Sequence, residues 1–446
     1  MANRAPVTLE LDDIQSGTLH PRPTPYVGRY ILIRIDDRRA GREMLRRLHP
    51  FVASATNWSA GSATWLTVAL TFQGLKALGA PQGSLDSFSP EFQQGLAARA
   101  AELGDYGENS PANWENPLGT PDVHAALSTI APDAARLAVV LEQARAASRD
   151  LAGVSVIFTQ DFYQLPSERE HFGFKDGISQ PVIEGSGNPG HPGHGPPIKA
   201  GEFILGYPDQ TGSLPPMPQP DVLGRNGSYV VFQKLHTRVA AFRQYLRANS
   251  TNPEEEELLA AKMMGRWRSG APLSLSSERD DPALGADPKR NNDFRFFEDD
   301  YKGIRCPVSS HIRRMNPRDG LKDTATVVEL HRLLRRGTTY GPALPEGVME
   351  DDGADRGIVF VFSGAHLKRQ YEFVKSQWAN EGNFVGLGAE QDAFVRTDDG
   401  PGMFTLPKQP IRRRLQGLPQ FVVNRGGEYA FAPGLRALRW LAELDT

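Results

Sequence analysis

Three short stretches concentrate side chains that can do chemistry. Cys306-Pro-Val-Ser-Ser-His-Ile-Arg-Arg-Met-Asn-Pro-Arg318 sets one imidazole, His311, ahead of three guanidinium groups, Arg313, Arg314 and Arg318. Neutral imidazole ligates iron and arginines pair with carboxylates, so the pattern suits an iron porphyrin with its two propionates. It equally suits a phosphate site or a solvated basic stretch. Gly173-Phe-Lys-Asp-Gly177 holds Asp176 beside Phe174. An ordinary Asp-Gly turn is the plain reading, but a carboxylate fixed on a rigid, partly buried turn can also move a proton. His331-Arg-Leu-Leu-Arg-Arg-Gly-Thr-Thr-Tyr-Gly341 reads as a short helical run ending in Arg335, Arg336 and a glycine cap. Such an arginine either complements the helix end or faces a cavity and stabilises negative charge on an oxygen. The remaining histidines stand singly or, like His191 and His194, lack an acidic or cysteine partner at ligand spacing.

These stretches must be positioned by elements with their own periodicity. Tyr30 to Asp36 is a β-branched strand, followed by a helix over Gly41 to Leu48 with Met44, Leu45 and Leu48 on one side. About 200 residues on, the strand Tyr229 to Leu235 and the helix Val239 to Leu246 repeat that pattern. A second pair matches Trp65–Phe72 and Gln73–Gly79 with Gly357–Ser363 and Leu367–Val374. The helix Asp133 to Leu151 and the strand Val154 to Thr159 complete a βαββαβ order in the first half. The expected fold is α+β: two ferredoxin-like domains with antiparallel sheets. The expected division is 1–184, ending just after the Gly173 turn, a Gly/Pro-rich linker or surface loop at 185–222, and 223–446. A charged, Pro-containing stretch, Ser269 to Lys302, is expected to wrap the surface.

Composition narrows the function. The 446 residues carry 50 Lys plus Arg against 53 Asp plus Glu, too even a balance for gripping nucleic acid or an anionic membrane. A single cysteine, Cys306, excludes a disulfide within the chain, a thiolate-only metal site and a Cys-ligated iron–sulfur cluster. Apolar runs such as Leu66 to Phe72 are far shorter than the roughly 20 residues a membrane span needs. The first residues have no apolar stretch behind their one early positive charge, so the expectation is a cytoplasmic protein. A homo-oligomer is compatible with this composition.

The three stretches, in this order and at these separations, resemble the dye-decolourising peroxidase family: a GxxDG element, a proximal-histidine element and a distal-arginine element. The resemblance extends to Leu11-Asp-Asp-Ile-Gln15, Arg29 to Asp36, Arg356 to Trp378 and Gly382-Asn-Phe-Val-Gly386, and so covers most of the chain. It implies one haem b per chain, held mainly by the second domain. His311 would be the proximal iron ligand, Asp176 the distal carboxylate and Arg335 the distal guanidinium. Phe360 and Phe362 would line the distal pocket, and Arg318 and Arg313, with Arg314 third, would meet the propionates. Asp392, in Glu390-Gln-Asp-Ala-Phe394, would accept a hydrogen bond from His311, although the family often has proline where this chain has Ala393. Hydrogen peroxide would be cleaved to an oxoferryl state that oxidises dyes and other aromatic donors, favoured by acidic pH. Electrons would hop from the surface through aromatic side chains, with Trp267, Trp378 and Tyr340 as candidates. The alternative is a haem-binding or haem iron-release protein of the same fold. A chlorite-dismutase-like enzyme is a weaker rival, since a distal carboxylate beside an arginine is out of place there.

Overall fold

The structure, a computed structural model, describes residues 7–56, 64–397, 400–408 and 410–444. In the first half, strand β1 (Val27–Ile35) leads into the helix Arg38–Leu48, β2 (Trp65–Leu70), β3 (Ala125–Ala131), the helix Ala134–Ser148 and β4 (Val154–Tyr163). The strands lie antiparallel in the order β4-β1-β3-β2, the ferredoxin-like arrangement. Both helices start where an aspartate side chain accepts from an otherwise unpaired backbone N–H: Asp37 from Ala40 and Asp133 from Arg136. The first buries Ala40, Gly41, Met44, Leu45 and Leu48, one face at helical spacing, against Ile31, Ile33 and Ile35 of β1.

The second half repeats the order with β5 (Ser228–Thr237), the helix Val239–Ala248, the short strands β6 (Leu334–Arg335) and β7 (Thr338–Tyr340), β8 (Gly357–Gly364), a helical segment and β11 (Val422–Ala432). A hairpin of β9 (Gly402–Leu406) and β10 (Arg413–Leu418) precedes β11. β11 pairs with β5, β5 with β8, and β8 with β6 and β7. The expected duplication is present, but its register differs from the sequence pattern. β8 holds the place of β3, not of Trp65–Leu70, because the strand before it is broken into β6 and β7 and reads poorly as a strand.

The segment after β8 is π-helical over Leu367–Glu372 and Val374–Ala379. Wide winding of this length is rare and is found mostly at functional sites. β2 and β11 join the half-sheets at Leu70 and Phe431, making one nine-stranded sheet. The sheet curls until β7 meets β1: Tyr26 and Tyr30 exchange hydroxyl hydrogen bonds of 3.1 Å with Thr339 and Thr338. One apolar core therefore draws on both halves, with Ile33 and Leu127 beside Val231, Phe362 and Phe431.

Two stretches expected at the surface reach the interior. Within the Gly/Pro-rich segment, Phe203, Ile204 and Leu205 are fully buried, and Phe203 and Ile204 pack with Ile14 and Leu19. In Ser269 to Lys302, Ala271, Leu273, Leu284, Phe294 and Phe296 form a small core with Trp267 and Cys306. Composition hides both because glycine and proline exclude regular elements without excluding apolar anchors between them. Among the described residues no helix is long and apolar enough to cross a membrane.

Candidate active site

A cavity of about 300 Å³ opens on the face of the second half-sheet, between β5, β8, β11 and the helical layer. Its wall takes Gln233 and Leu235 from β5, Ile358 and Phe360 from β8, and Tyr371, Val374 and Lys375 from the π-helical segment. His311, Asp176, Arg335, Arg318 and Phe360 all line it. Phe362, two residues along β8, does not; it is fully buried in the shared core.

His311 opens the five-residue helix His311–Met315. Its Nδ1 lies 3.0 and 3.1 Å from the carboxylate oxygens of Asp392, and its ring stands edge-on to Phe394, 5.8 Å between centroids. Asp392 is fully buried and accepts the Phe394 and Val395 N–H groups at 2.8 and 2.9 Å. Burial pushes this carboxyl up, but His311 and the two N–H donors outweigh it and hold the group below the usual carboxylate range. With Nδ1 engaged, Nε2 is the ring nitrogen left for a ligand at the cavity. Ala393 is no obstacle to this contact; it is buried among the surrounding aromatics.

Asp176 sits on the Gly173–Gly177 turn, whose two glycines both take the left-handed backbone that other residues adopt only at a cost. Glu170 shapes that turn by accepting the N–H groups of Phe172 and Phe174, each at 2.9 Å. Burial pushes the Glu170 carboxyl up to about 7. Asp176 keeps 34% of its side chain accessible and lines the cavity. Burial pushes its carboxyl up as well, yet the charges of Arg22 and Arg335 hold it below the ordinary value. Arg22, which no sequence motif marks, makes the direct contact, 3.0 Å from Nη2 to Oδ2.

Arg335 lies on β6 and not at a helix end. The expected helical run is a 3-10 turn over Val328–His331 followed by strand, because Leu334 and Arg335 pair with Ser363 and Phe362 and the β-branched Thr338 and Thr339 extend along β8. The backbone N–H of Arg335 donates to Gln180, and its guanidinium reaches the Ser179 carbonyl at 3.4 Å.

The propionate candidates divide sharply. Arg313 is buried away from the cavity, donating to the carbonyls of Asp300 and Cys306 and to the Asp300 carboxylate, with its guanidinium over Phe296. Arg314 is likewise committed to the carbonyls of Trp378, Glu390 and Glu381. Neither faces the cavity. Arg318 does, from a backbone with φ of 53°, a conformation that costs a non-glycine residue about 1–2 kcal/mol. Its guanidinium shares the Asn292 side-chain oxygen with Arg266, a cavity residue the sequence did not single out. Arg332 is a third such residue. Among the described residues no carboxylate bridges Arg266, Arg318, Arg332 or Arg335. Burial pushes the guanidinium groups of Arg266 and Arg332 down to about 10 and lowers that of Arg318 as well, each also opposed by neighbouring arginines. Arg266 donates to the carbonyls of Gly270 and Asn291 and Arg318 to those of Asn292 and Phe294, but none of these neutralises a charge. Buried cations without a counter-charge are costly, so the cavity suits a ligand that brings negative charge. A planar apolar group with two carboxylates, and an iron to meet His311, fits this lining of Phe360, Phe394, Leu333 and arginines.

Trp267, Trp378 and Tyr340 are all buried, at 5%, 3% and 1% exposure, so none is itself a surface point of electron entry. Trp378 stands edge-on to Phe373 and His331 and precedes the cavity residue Ala379.

No protein-family model matches the chain. A dye-decolorizing peroxidase of Exidia glandulosa is 32% identical over 414 residues, 87% of this chain and 78% of its own. Among solved structures, an ancestral D-type dye decolorizing peroxidase superposes with a TM-score of 0.84 at 30% identity, covering 98% of this chain and 99% of that one. A dye-decolorizing peroxidase in complex with 2,6-dimethoxyphenol gives 0.85 at 27% identity, covering 97% and 100%. Fold and relatives thus define an oxidoreductase of the peroxidase class. The chain belongs to the dye-decolorizing peroxidase family.

Proposed function

We propose that this chain is a haem peroxidase that uses hydrogen peroxide to oxidise dyes and other aromatic donors, with one haem b per chain. The observation that carries this reading is a single cavity holding the Asp392-bound His311, Asp176 and four arginines without carboxylate partners. His311 would ligate the iron through Nε2, with Asp392 fixing the tautomer and making the imidazole more electron-rich. Arg318, joined by Arg266 and Arg332, would hold the propionates. Haem, when bound, supplies the redox chemistry that peroxide requires.

The chain's own part in peroxide cleavage is a proton transfer. The Asp176 carboxylate accepts the proton of one peroxide oxygen and delivers it to the other, which departs as water. Arg335 stabilises negative charge on the departing oxygen. Residues 1–184 supply Asp176 and residues 223–446 supply His311, Arg335 and Asp392, with 185–222 as the connection.

Absorption spectra of the haem-loaded protein titrated with peroxide test the reading. His311→Ala should disturb the Soret band, while Asp176→Asn should keep the native spectrum and react at least about 100-fold more slowly. If peroxide only bleaches the haem, and Asp176→Asn behaves as native, the haem-carrier or iron-release reading replaces this one.

A further inference from the structure

We propose that Arg22 positions Asp176 for proton transfer, clamping its carboxylate against the loop that follows Arg335. The inference rests on the reading of Asp176 as the proton-transfer group. Two donors hold that carboxylate: the Gly177 N–H at 2.6 Å on Oδ1 and Arg22 Nη2 at 3.0 Å on Oδ2. Among the described residues no other side chain donates to it. Arg335, though charged and close enough to be felt, makes no hydrogen bond with it.

Arg22 is itself held on both sides. Its Nη1 donates to the carbonyl of Gly337, two residues beyond Arg335, and its guanidinium lies 4.8 Å from the centre of the Tyr26 ring. Tyr26 is in turn tied to Thr339 by its hydroxyl. One guanidinium therefore links the Gly173–Gly177 turn to the β6–β7 loop, so the carboxylate and the distal arginine keep a fixed relation. A planar fork with several donors can do this, whereas the point charge of a lysine meets only part of the geometry.

Arg22 is also a wall. Among the described residues it alone lines both the large cavity and a second one of about 90 Å³, beside Tyr30, Arg336 and Glu428. The groups facing Asp176 are Arg22, Arg335 and Glu170, with Lys175 its chain neighbour; Arg336, Tyr26 and Tyr30 stand beyond Arg22. Of these, Arg22 exerts the largest charge effect on Asp176 and opposes burial, so its loss favours the protonated acid, which cannot accept a proton.

The test uses haem-loaded Arg22→Met, Arg22→Gln and Arg22→Lys. Two quantities are followed against pH: the rate of reaction with peroxide, and the infrared band of the Asp176 carboxyl, isolated by difference from Asp176→Asn. Arg22→Met should lower the peroxide rate about tenfold or more at the acid end and move the acid limb to higher pH, with the carboxyl band titrating in step. Arg22→Lys should restore part of both. Should Arg22→Met fail to load haem, Arg22→Gln, which keeps a donor without the charge, should show the same displacement. A native acid limb and carboxyl band in the neutral variants, with Asp176→Asn still slow, would overturn the role of Arg22 alone. A native rate in Asp176→Asn would remove the Asp176 reading, and the Arg22 proposal with it.

Discussion

His311 Nδ1 meets both carboxylate oxygens of the fully buried Asp392, and that carboxylate is in turn fixed by two backbone N–H groups of its own loop. The imidazole cannot rotate without breaking a contact inside the protein. Asp392→Asn should therefore weaken haem binding about 10- to 100-fold and shift the iron reduction potential to more positive values, since a neutral amide makes the ring less electron-rich. Haem transfer to an acceptor protein and spectroelectrochemistry measure the two. Unchanged values in both would mean that the contact does not tune the ligand.

Arg313 and Arg318 should part company. Arg313→Met removes a cation that serves the Asp300 carboxylate and three carbonyls, and should cost about 3–5 kcal/mol of stability without changing haem affinity once folded. Arg318→Asn keeps a residue that tolerates the left-handed backbone, and should lower haem affinity at least about tenfold through loss of a charged hydrogen bond. Denaturant unfolding of the apoprotein and haem titration distinguish them.

Arg335→Gln should leave the haem spectrum native and lower kcat/KM for peroxide about 100- to 1000-fold, the cost of removing one donor to a developing oxyanion. Steady-state kinetics against peroxide concentration provide the check.

Glu170 predicts a pH dependence of stability. Its folded carboxyl is raised to about 7, above the unfolded value, so the protonated form is favoured by folding. That contribution is fully present below the unfolded value and is lost as pH rises through about 7. Asp176 and Asp392, held below the ordinary value, contribute in the opposite sense and lose their contribution only in stronger acid. Thermal unfolding between pH 5 and about 8 should show a decline that Glu170→Gln flattens. A decline of equal size in the variant would place its origin elsewhere.

Much of this fold is legible where a segment has one period. The run of β-branched residues in β1 and the spaced Met44, Leu45 and Leu48 announce a strand and a helix without ambiguity. Where two or three residues form a strand, as in β6 and β7, pairing with β8 decides and local pattern does not. His311 and Asp176 stand out because each lies in a distinctive run, whereas Asp392 is reached only through the family resemblance. The arginines could not be sorted. Arg313, Arg314 and Arg318 are alike in sequence and all three donate to backbone carbonyls; only their placement, with Arg318 alone of the three lining the cavity, separates them. Arg22 lies in His20-Pro-Arg-Pro23, which reads as a polar loop, and its contact with Asp176 spans 154 positions. Arg332 did carry a signal, standing three residues before Arg335 in the same motif.

The joining of the half-sheets at Leu70 and Phe431 bears on how such a protein could arise. The Asp176–Arg22 pair, proposed for proton transfer, comes from the chain before the Gly/Pro-rich segment, and His311 with the buried Asp392, proposed to hold the iron, comes from after it. On the proposed assignment neither segment alone holds both the Asp176 carboxylate and the His311 imidazole. Peroxide chemistry of this design therefore belongs to the fused pair, and separate expression of the two segments should recover it only through reassembly along that shared edge.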